Sequence, residues 1–225
     1  LLLDQYGFSQ VDNNVFNTLV NSPKTDFIFF IATSFITRFK EHDNVKKYID
    51  TNKIEFDSTK PHECHRIIAN YYQSLIPADK EYYLHHFTIE NGVNRYGLIF
   101  GTTHTLGMEK FLKVCWKYDN LAGEANMNID GNHKPGELFY VAGNSNKKDA
   151  VKKEIKEMVL SGRIADNITG FKYALKQKCM PNVLSEVIKE LESKNKLRRI
   201  GAKSYTSTDI HKIKVGSKDY YKIEL

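Results

Sequence analysis

The sequence predicts an α/β protein whose sheet ends in an antiparallel hairpin and is followed by a basic helical domain. Leu1–Asp4 and Asp26–Ala32 are apolar runs without alternation, which is typical of strands buried on both faces of a parallel sheet. Glu81–Glu90 and Asn94–Thr102 are two further strand candidates, separated only by the residues NGV. Three residues cannot carry a parallel crossover, so this second pair must be antiparallel.

Helical periodicity occupies the spaces between these strands. Val11–Val20 has apolar residues at helical spacing and ends at the sequence NSP. Ser34–Phe39, Val45–Asp50 and Cys64–Leu75 are further helix-like segments before the hairpin. Leu106–Tyr118 follows the hairpin as an amphipathic helix. Its predicted inward face consists of Leu106, Phe111, Leu112, Cys115 and Trp116.

This order of elements predicts a particular α/β architecture. It is typical of the C-terminal half of a seven-stranded Rossmann-like methyltransferase sheet, whose last two strands form an antiparallel hairpin at one edge. An ordinary dinucleotide-binding half would keep its last strands parallel. We therefore expect residues 1–145 to form a methyltransferase-like domain whose N-terminal half lies elsewhere, or else a degenerate form of that fold. The first alternative is favoured because an open central strand is an aggregation hazard.

A second domain is predicted for residues 146–225. Asn120 to Lys147 is rich in Gly and Asn, holds one candidate strand at Glu137–Val141, and is long for a connection within one domain. Three helices followed by a basic β-hairpin are typical of a winged helix, a relative of helix-turn-helix modules. The predicted helices are 149–161, Asn167–Gln177 and Val183–Lys194, and the predicted strands are Leu197–Ile200, Ser204–Ser207 and Tyr220–Leu225.

The net charge of +6 is unevenly distributed between these two parts. Up to Ser145 there are 14 Lys and Arg against 17 Asp and Glu, a net charge of −3. From Asn146 onward the numbers are 19 against 10, a net charge of +9. Segregated positive charge points to an acidic partner, nucleic acid first. The alternative is a lysine-rich surface that only improves solubility.

Composition excludes several classes of protein. No apolar run approaches the roughly 20 residues of a membrane-spanning helix, and no signal peptide is recognisable. Cys64, Cys115 and Cys179 are far apart and odd in number, which predicts no disulfide framework and suits a reducing cytoplasm. The sequence also lacks a nucleophile elbow and a phosphate-binding loop, which disfavours hydrolases and ATPases.

Four segments resemble the three-Cys-motif partner (TcmP) family: LLLDQYGFSQV, IFFIATSFITRF, RYGLIFGTTHTLGMEKFLKVCWKYD and the winged-helix-like end. The resemblance covers nearly the whole chain in order. It implies a class I methyltransferase-like fold with an appended winged helix, S-adenosylmethionine as the cofactor, and a radical-SAM-like protein bearing three cysteines as the partner. The cysteines of this chain are too widely spaced to be that motif.

The resemblance implies a catalytic motif at Asp4, Gln5, Tyr6 and Gly7. In amino-methyltransferases a strand-end carboxylate or amide and a proline carbonyl bond the target amine, while an aromatic ring stacks on a flipped base. Gln5 replaces the proline but still offers its backbone carbonyl. The alternative is a structural turn with Asp4 as a helix cap. His104 would either line the same cleft or cap the helix that follows it, and the capping role is favoured.

Cofactor and metal signals are weak in this chain. No Gly-x-Gly turn follows a first strand and no acidic residue ends a second strand, so the usual S-adenosylmethionine pocket cannot be built from this sequence. The run His62-Glu63-Cys64-His65 has metal-ligand residue types but no second cluster, which favours a helix start over a zinc site. His85 and His86 would point to opposite faces of a strand. Asp130, His133 and Glu137 lie in a loop without a fixed ligand geometry, so no metal site is predicted.

The predicted nucleic-acid surface surrounds the third helix of the basic domain. The basic side chains would face phosphates, and Asn182 and Ser185 near the helix start would reach bases. The predicted phosphate contacts are Lys189, Lys194, Lys196, Arg198, Arg199 and Lys203, and Lys212, Lys214 and Lys218 would lie at the wing tip.

Two hypotheses for function follow. In the first, the protein is an S-adenosylmethionine-dependent methyltransferase that acts on nucleic acid, with Asp4 and Tyr6 positioning the target base. In the second, it is a non-catalytic scaffold that binds the three-Cys protein and recruits nucleic acid, DNA or RNA, through the winged helix. A docking module that contacts only protein is the alternative for the winged helix itself.

Overall fold

A computed structural model describes residues 1–3, 11–32, 63–130, 146–201 and 208–225. Within these ranges the chain is a mixed α/β protein with a four-stranded, mostly antiparallel sheet, six α-helices and a separate two-stranded sheet. The α/β class is therefore confirmed. The elements are β1 (Leu2–Leu3), α1 (Asn13–Asn21), β2 (Phe27–Ala32), α2 (Cys64–Ser74), β3 (Tyr83–Asn91), β4 (Asn94–Thr102), α3 (Thr105–Tyr118), α4 (Lys147–Leu160), α5 (Asn167–Lys176), α6 (Asn182–Ser193), β5 (Arg198–Ile200) and β6 (Lys222–Glu224).

The four strands of the main sheet are ordered β1-β2-β4-β3. β1 is parallel to β2, whereas β4 is antiparallel to both β2 and β3, so β3 runs in the same direction as β2. The predicted antiparallel hairpin is confirmed. Its turn is one residue shorter than the sequence suggested because Asn91 pairs with Asn94, and Gly92 supplies a φ of +59° that glycine adopts without strain.

Helices α1 and α2 cover one face of this sheet. The inward side chains of β2, Phe27 and Phe29, pack with Phe16 of α1 and Tyr72 of α2, and the Phe16 and Tyr72 ring centroids are 4.5 Å apart. Two glycines of β4 make room for this layer. A Cβ atom at Gly101 would lie 2.3 Å from the Phe27 ring. The absence of a side chain at these two glycines therefore leaves space for aromatic rings to pack against β4.

Helix α3 lies on the other face and shares a core with α4, α5 and α6. Of the predicted inward residues of α3, Leu112 and Cys115 are buried, whereas Leu106, Phe111 and Trp116 are half-buried. Met108 is buried although the sequence pattern did not single it out. This core joins both sides of the predicted domain boundary, which itself stays a prediction.

The segment after α3 covers the outer edge of β3. The Thr88 amide donates to the Glu124 carbonyl at 2.7 Å, and the Asn126 amide donates to the Thr88 carbonyl at 3.0 Å. The buried Asp119 carboxylate holds this segment in place by accepting three backbone hydrogen bonds, one of them from the Glu124 amide at 3.0 Å. An exposed strand edge is thereby protected from pairing with other chains.

The small sheet has β6 between two neighbours. β5 pairs with β6 in antiparallel register, and on the other side the Ile223 amide donates to the Ala165 carbonyl at 2.8 Å. The predicted strands Ser204–Ser207 and Glu137–Val141 and the helix-like segments Ser34–Phe39 and Val45–Asp50 lie outside the described residues.

One expectation about the wing needs correction. The connection between β5 and β6 contains a short 3-10 helix, Ile210–Lys212, that contacts α3, and Ile210 and Ile213 are buried in the shared core. Lys212 is therefore not at a wing tip, because the apolar residues on either side of it anchor this part of the connection to α3. Lys214 and Lys218 are exposed.

Candidate functional site

The predicted catalytic motif lies outside the described residues, because Asp4, Gln5, Tyr6 and Gly7 fall between residues 3 and 11. The structure does define the strand that precedes the motif. Leu2 and Leu3 of β1 pair with Ile28 and Phe29 in parallel register. β1 therefore runs toward the end of the sheet at which β2 ends. Catalytic roles for the motif stay predictions.

His104 lies at the opposite end of the sheet. β4 is antiparallel to β2, and its last residues pair with the first residue of β2, Phe27 opposite Gly101. The imidazole Nδ1 of His104 accepts a hydrogen bond from the Leu106 amide at 3.1 Å, so His104 is the N-cap of α3. The structure does not bring His104 to the end of the sheet to which β1 leads. The capping role favoured by the sequence is the one that the geometry shows.

Three of the eight predicted nucleic-acid contacts are already engaged in ion pairs within the protein. Lys194 pairs with Glu190 at 2.6 Å, and Arg198 pairs with Glu224 at 2.8 Å. Arg199 is half-buried, pairs with Glu192 and lies over the Tyr221 ring. Its guanidinium therefore fixes β5 to the helical core, which leaves it poorly placed to meet a phosphate.

Four of the remaining predicted contacts lie on α6 or just beyond it. Lys189 and Lys196 are exposed and make no ion pair within the described part of the chain. Asn182 is exposed at the first turn, where its amide donates to Glu186 at 3.0 Å, and Ser185 is half-buried. Lys203 lies outside the described residues.

A row of lysines on α4 was missed by the sequence reasoning. Lys148 and Lys152 both pair with Glu186 of α6, at 2.8 and 2.5 Å, and Lys156 pairs with Glu190 at 2.6 Å. The signal was their spacing of four residues, which places them on one face of a helix. Together with Lys194 these lysines outnumber the two glutamates, so the surface shared by α4 and α6 keeps an excess of positive charge.

A buried ion cluster joins the sheet to the helical region. The Glu124 carboxylate, 7% exposed, accepts from Arg66 Nε and from Lys147 Nζ, both at 2.6 Å, and lies 3.5 Å from His86 Nε2. Arg66 also donates to Asp130 at 2.8 Å. Burial alone would raise the pKa of Glu124. The nearby His86 imidazole and the charges of Lys147 and Arg66 outweigh burial and hold the pKa of Glu124 well below its usual range.

Three histidines are buried next to this cluster. His65 bonds Thr88 Oγ1 at 3.0 Å and His85 bonds the Gly123 carbonyl at 2.9 Å. His85 packs against Phe111 of α3, whereas His65 comes from α2 on the other face. Burial lowers the pKa of His65 to about 3 and lowers those of His85 and His86. All three are therefore neutral at pH 7.

Three glycines of the described residues lie against protein side chains. Gly97 and Gly101 of β4 face the His65 and Phe27 rings, and a Cβ atom at Gly123 would lie 2.7 Å from Trp116. These glycines accommodate protein side chains rather than a ligand. The described residues also contain no group of three His, Cys, Asp or Glu side chains placed to hold a metal ion. The thiols of Cys64 and Cys115 are buried, which raises the pKa of each to about 12.

No helix in the described ranges combines the length and the apolar character needed to cross a membrane. Comparison with family models, with curated proteins and with solved structures finds no match for this chain. The resemblance to the three-Cys-motif partner family therefore stays a prediction.

Proposed function

We propose that this protein is methyltransferase-like and binds nucleic acid through a winged helix formed by its basic C-terminal part. The observation that carries the first half of the proposal is the strand order β1-β2-β4-β3. The parallel strands β1 and β2 are followed by the β3–β4 hairpin. The second strand of the hairpin, β4, lies next to β2 and is antiparallel to it, whereas the first strand, β3, lies at the edge of the sheet and runs parallel to β2. This is the arrangement expected at the hairpin edge of a methyltransferase sheet, and a plain dinucleotide-binding sheet would lack the reversed strand.

The second half of the proposal is supported by the order of elements after residue 146. Helix α4 is followed by a short extended segment at Ala165, then by α5, α6, β5 and β6. The Ala165 segment and β5 lie on either side of β6. A winged helix combines three helices with a small sheet of this connectivity, and its third helix is the one that reads nucleic acid. In this chain the third helix is α6.

Charge favours nucleic acid over a purely proteinaceous partner. Lys189 and Lys196 are exposed cations without a carboxylate partner in the described ranges, and Lys148 and Lys156 of α4 add positive charge beside them. Exposed and uncompensated lysines gain most from phosphates, because they lose no internal ion pair on binding. The 3-10 helix Ile210–Lys212, which packs against α3, contributes little to this surface.

Replacing Lys189 and Lys196 together by glutamine should weaken binding to duplex DNA and make it less sensitive to salt. Each lysine that neutralises a phosphate contributes about 0.9 to the slope of log K against log salt, so the slope should fall by about 1.8. Fluorescence anisotropy over a range of salt concentrations measures this slope. Lys153→Gln, an exposed lysine of α4, is the matched control. An unchanged slope in the double variant would exclude α6 as the contact surface.

S-adenosylmethionine is the cofactor implied by the proposed fold, and it would supply the methyl group. Asp4 and Tyr6, which lie outside the described residues, are the proposed positioning residues. Isothermal titration with S-adenosylhomocysteine is expected to show binding only for a chain that also carries the glycine-rich half implied by the resemblance. If neither chain bound S-adenosylhomocysteine, the proposed methyltransferase activity would be contradicted.

A non-catalytic scaffold is the second candidate. It is favoured by the glycines at 97, 101 and 123, whose open sides are occupied by protein side chains. In this case the α/β part would dock the three-Cys protein while the winged helix recruits nucleic acid. The DNA experiment would then give the same result, and the titration with S-adenosylhomocysteine separates the two candidates.

A further inference from the structure

A cavity of about 400 Å³ lies between the connection from α2 to β3 and the end of α5. Its volume falls within the range of small-molecule binding sites. Side chains from both parts of the chain form its wall, among them Ser74, Lys80 and Tyr82 on one side and Lys176 and Lys178 on the other. The cavity is separate from the α6 surface proposed to bind nucleic acid.

The wall of this cavity is positively charged. It contains three lysines and no carboxylate. Lys80 donates to the Asn21 amide oxygen at 2.8 Å, whereas Lys176 and Lys178 make no ion pair with any described residue. Glu81 lies beside the cavity, but its carboxylate is engaged by Lys172 and by the Tyr83 hydroxyl, each at 2.7 Å.

Two helix C-termini oppose this charge without cancelling it. Helices α2 and α5 both end at the cavity, at Ser74 and Lys176. Each C-terminus is equivalent to about −0.5 of an elementary charge, so together they offset about one of the three lysine charges. If the lysines served only to neutralise the two helix C-termini, no excess of positive charge would remain in the wall. The wall therefore remains cationic, which favours an anionic ligand.

Two residues of the cavity wall, Tyr82 and Lys178, have unusual surroundings or backbone geometry. Tyr82 is 4% exposed, and its hydroxyl has no hydrogen-bond partner among the described residues. A buried hydroxyl without a partner is destabilising. Lys178 has a φ of +61°, which is uncommon for a residue other than glycine, and burial together with the Lys147 charge lowers its pKa. An anion that accepts a hydrogen bond from the Tyr82 hydroxyl would give this buried group a partner.

We propose that this cavity binds a phosphate-bearing small molecule, whose phosphoryl oxygens accept hydrogen bonds from Lys176, Lys178 and the Tyr82 hydroxyl. A phosphoryl group fits better than a single carboxylate, because it carries up to two charges and three acceptor oxygens. Lysine is a common point-charge partner of phosphate. The cavity volume of about 400 Å³ suits a small molecule better than the backbone of a nucleic acid.

Isothermal titration of the whole chain with inorganic pyrophosphate tests this proposal. The wild-type chain should bind one pyrophosphate, and the double variant Lys176→Gln/Lys178→Gln should bind it at least about tenfold more weakly, since two charge-assisted hydrogen bonds are lost. Lys153→Gln, which removes an exposed lysine outside the cavity, should bind like the wild type. Absence of wild-type binding, or equal weakening by Lys153→Gln, would overturn the proposal.

Tyr82→Phe separates a binding role from a structural one. If the hydroxyl meets the ligand, the variant should bind pyrophosphate about three- to tenfold more weakly while its thermal unfolding temperature is unchanged or raised, because an unpartnered hydroxyl has been removed. Unchanged affinity would contradict the role of Tyr82. Should the double variant fail to fold, Lys176→Gln alone replaces it, since Lys176 is exposed. Its affinity must then fall several-fold for the proposal to stand.

Discussion

Replacing Glu124 by glutamine is expected to lower the free energy of unfolding by about 3 kcal/mol, since breaking a buried ion pair leaves charges uncompensated. Glu124 is the shared partner of Arg66 and Lys147, whose side chains are 27% and 19% exposed. Without the carboxylate, two largely buried cations would face each other and His86. Urea denaturation at pH 7, followed by circular dichroism, measures this change.

The matched control is Glu224→Gln, which removes an exposed ion pair instead. Its partner Arg198 is 76% exposed, so the loss should be below about 1 kcal/mol. If both variants were destabilised equally, the cluster around Glu124 would be no more important than a surface ion pair. A large loss confined to Glu124→Gln would identify the cluster as the link between the sheet and the helices that begin at α4.

Acidification below pH 6.5 is expected to destabilise the protein steeply, well before the carboxylates titrate. His65, His85 and His86 are buried and have lowered pKa values, whereas in the unfolded chain they protonate near 6.5. The unfolded state therefore binds more protons as the pH falls, and stability falls with it. Each histidine contributes up to about 1.4 kcal/mol per pH unit, so three approach about 4 kcal/mol per unit.

Glu124 acts in a lower window with the same sign. Its folded pKa lies below the ordinary value of 4.5, so its contribution is complete above pH 4.5 and is lost as the pH falls further. Two stages of acid destabilisation are thus expected, the first from the histidines and the second from the carboxylate.

His65→Gln tests the assignment of the first stage. Glutamine can keep the hydrogen bond to Thr88 but does not titrate, so the slope of unfolding free energy against pH between 6 and 5 should fall by about one third. Chemical denaturation at several pH values gives this slope. If the slope is unchanged in the variant, His65 is accessible to protons in the folded state and its burial is not maintained in solution.

The ion cluster and the burial of the three histidines were not predicted from the sequence, whereas most of the helices and strands were. The helical spacing of Val183, Leu184, Val187, Ile188 and Leu191 predicts one apolar helix face, and all five residues are buried in α6. The hairpin was predicted because a short turn allows only one pairing. Such features depend on neighbours within a few residues, so the pattern of one segment is enough to predict them.

The ion pairs of the candidate site join segments that are distant in sequence. No local sequence pattern predicts such contacts. Arg66 and Glu124 are 58 residues apart, and nothing near either residue in sequence indicates that they meet. The same holds for the pairing of Arg198 with Glu224 and for the docking of Ile210, which removed predicted cations from the proposed nucleic-acid surface.

The sequence by itself determined the α/β class, the antiparallel hairpin and the separation of charge between the two parts of the chain, because periodicity, turn length and composition are local properties. Only the tertiary structure decided which charges are compensated, which histidines are kept from water and where a cationic cavity is left between α2 and α5. The physical reason is that burial and ion pairing depend on which distant segments pack together, and the energies of charged groups change most when they leave water.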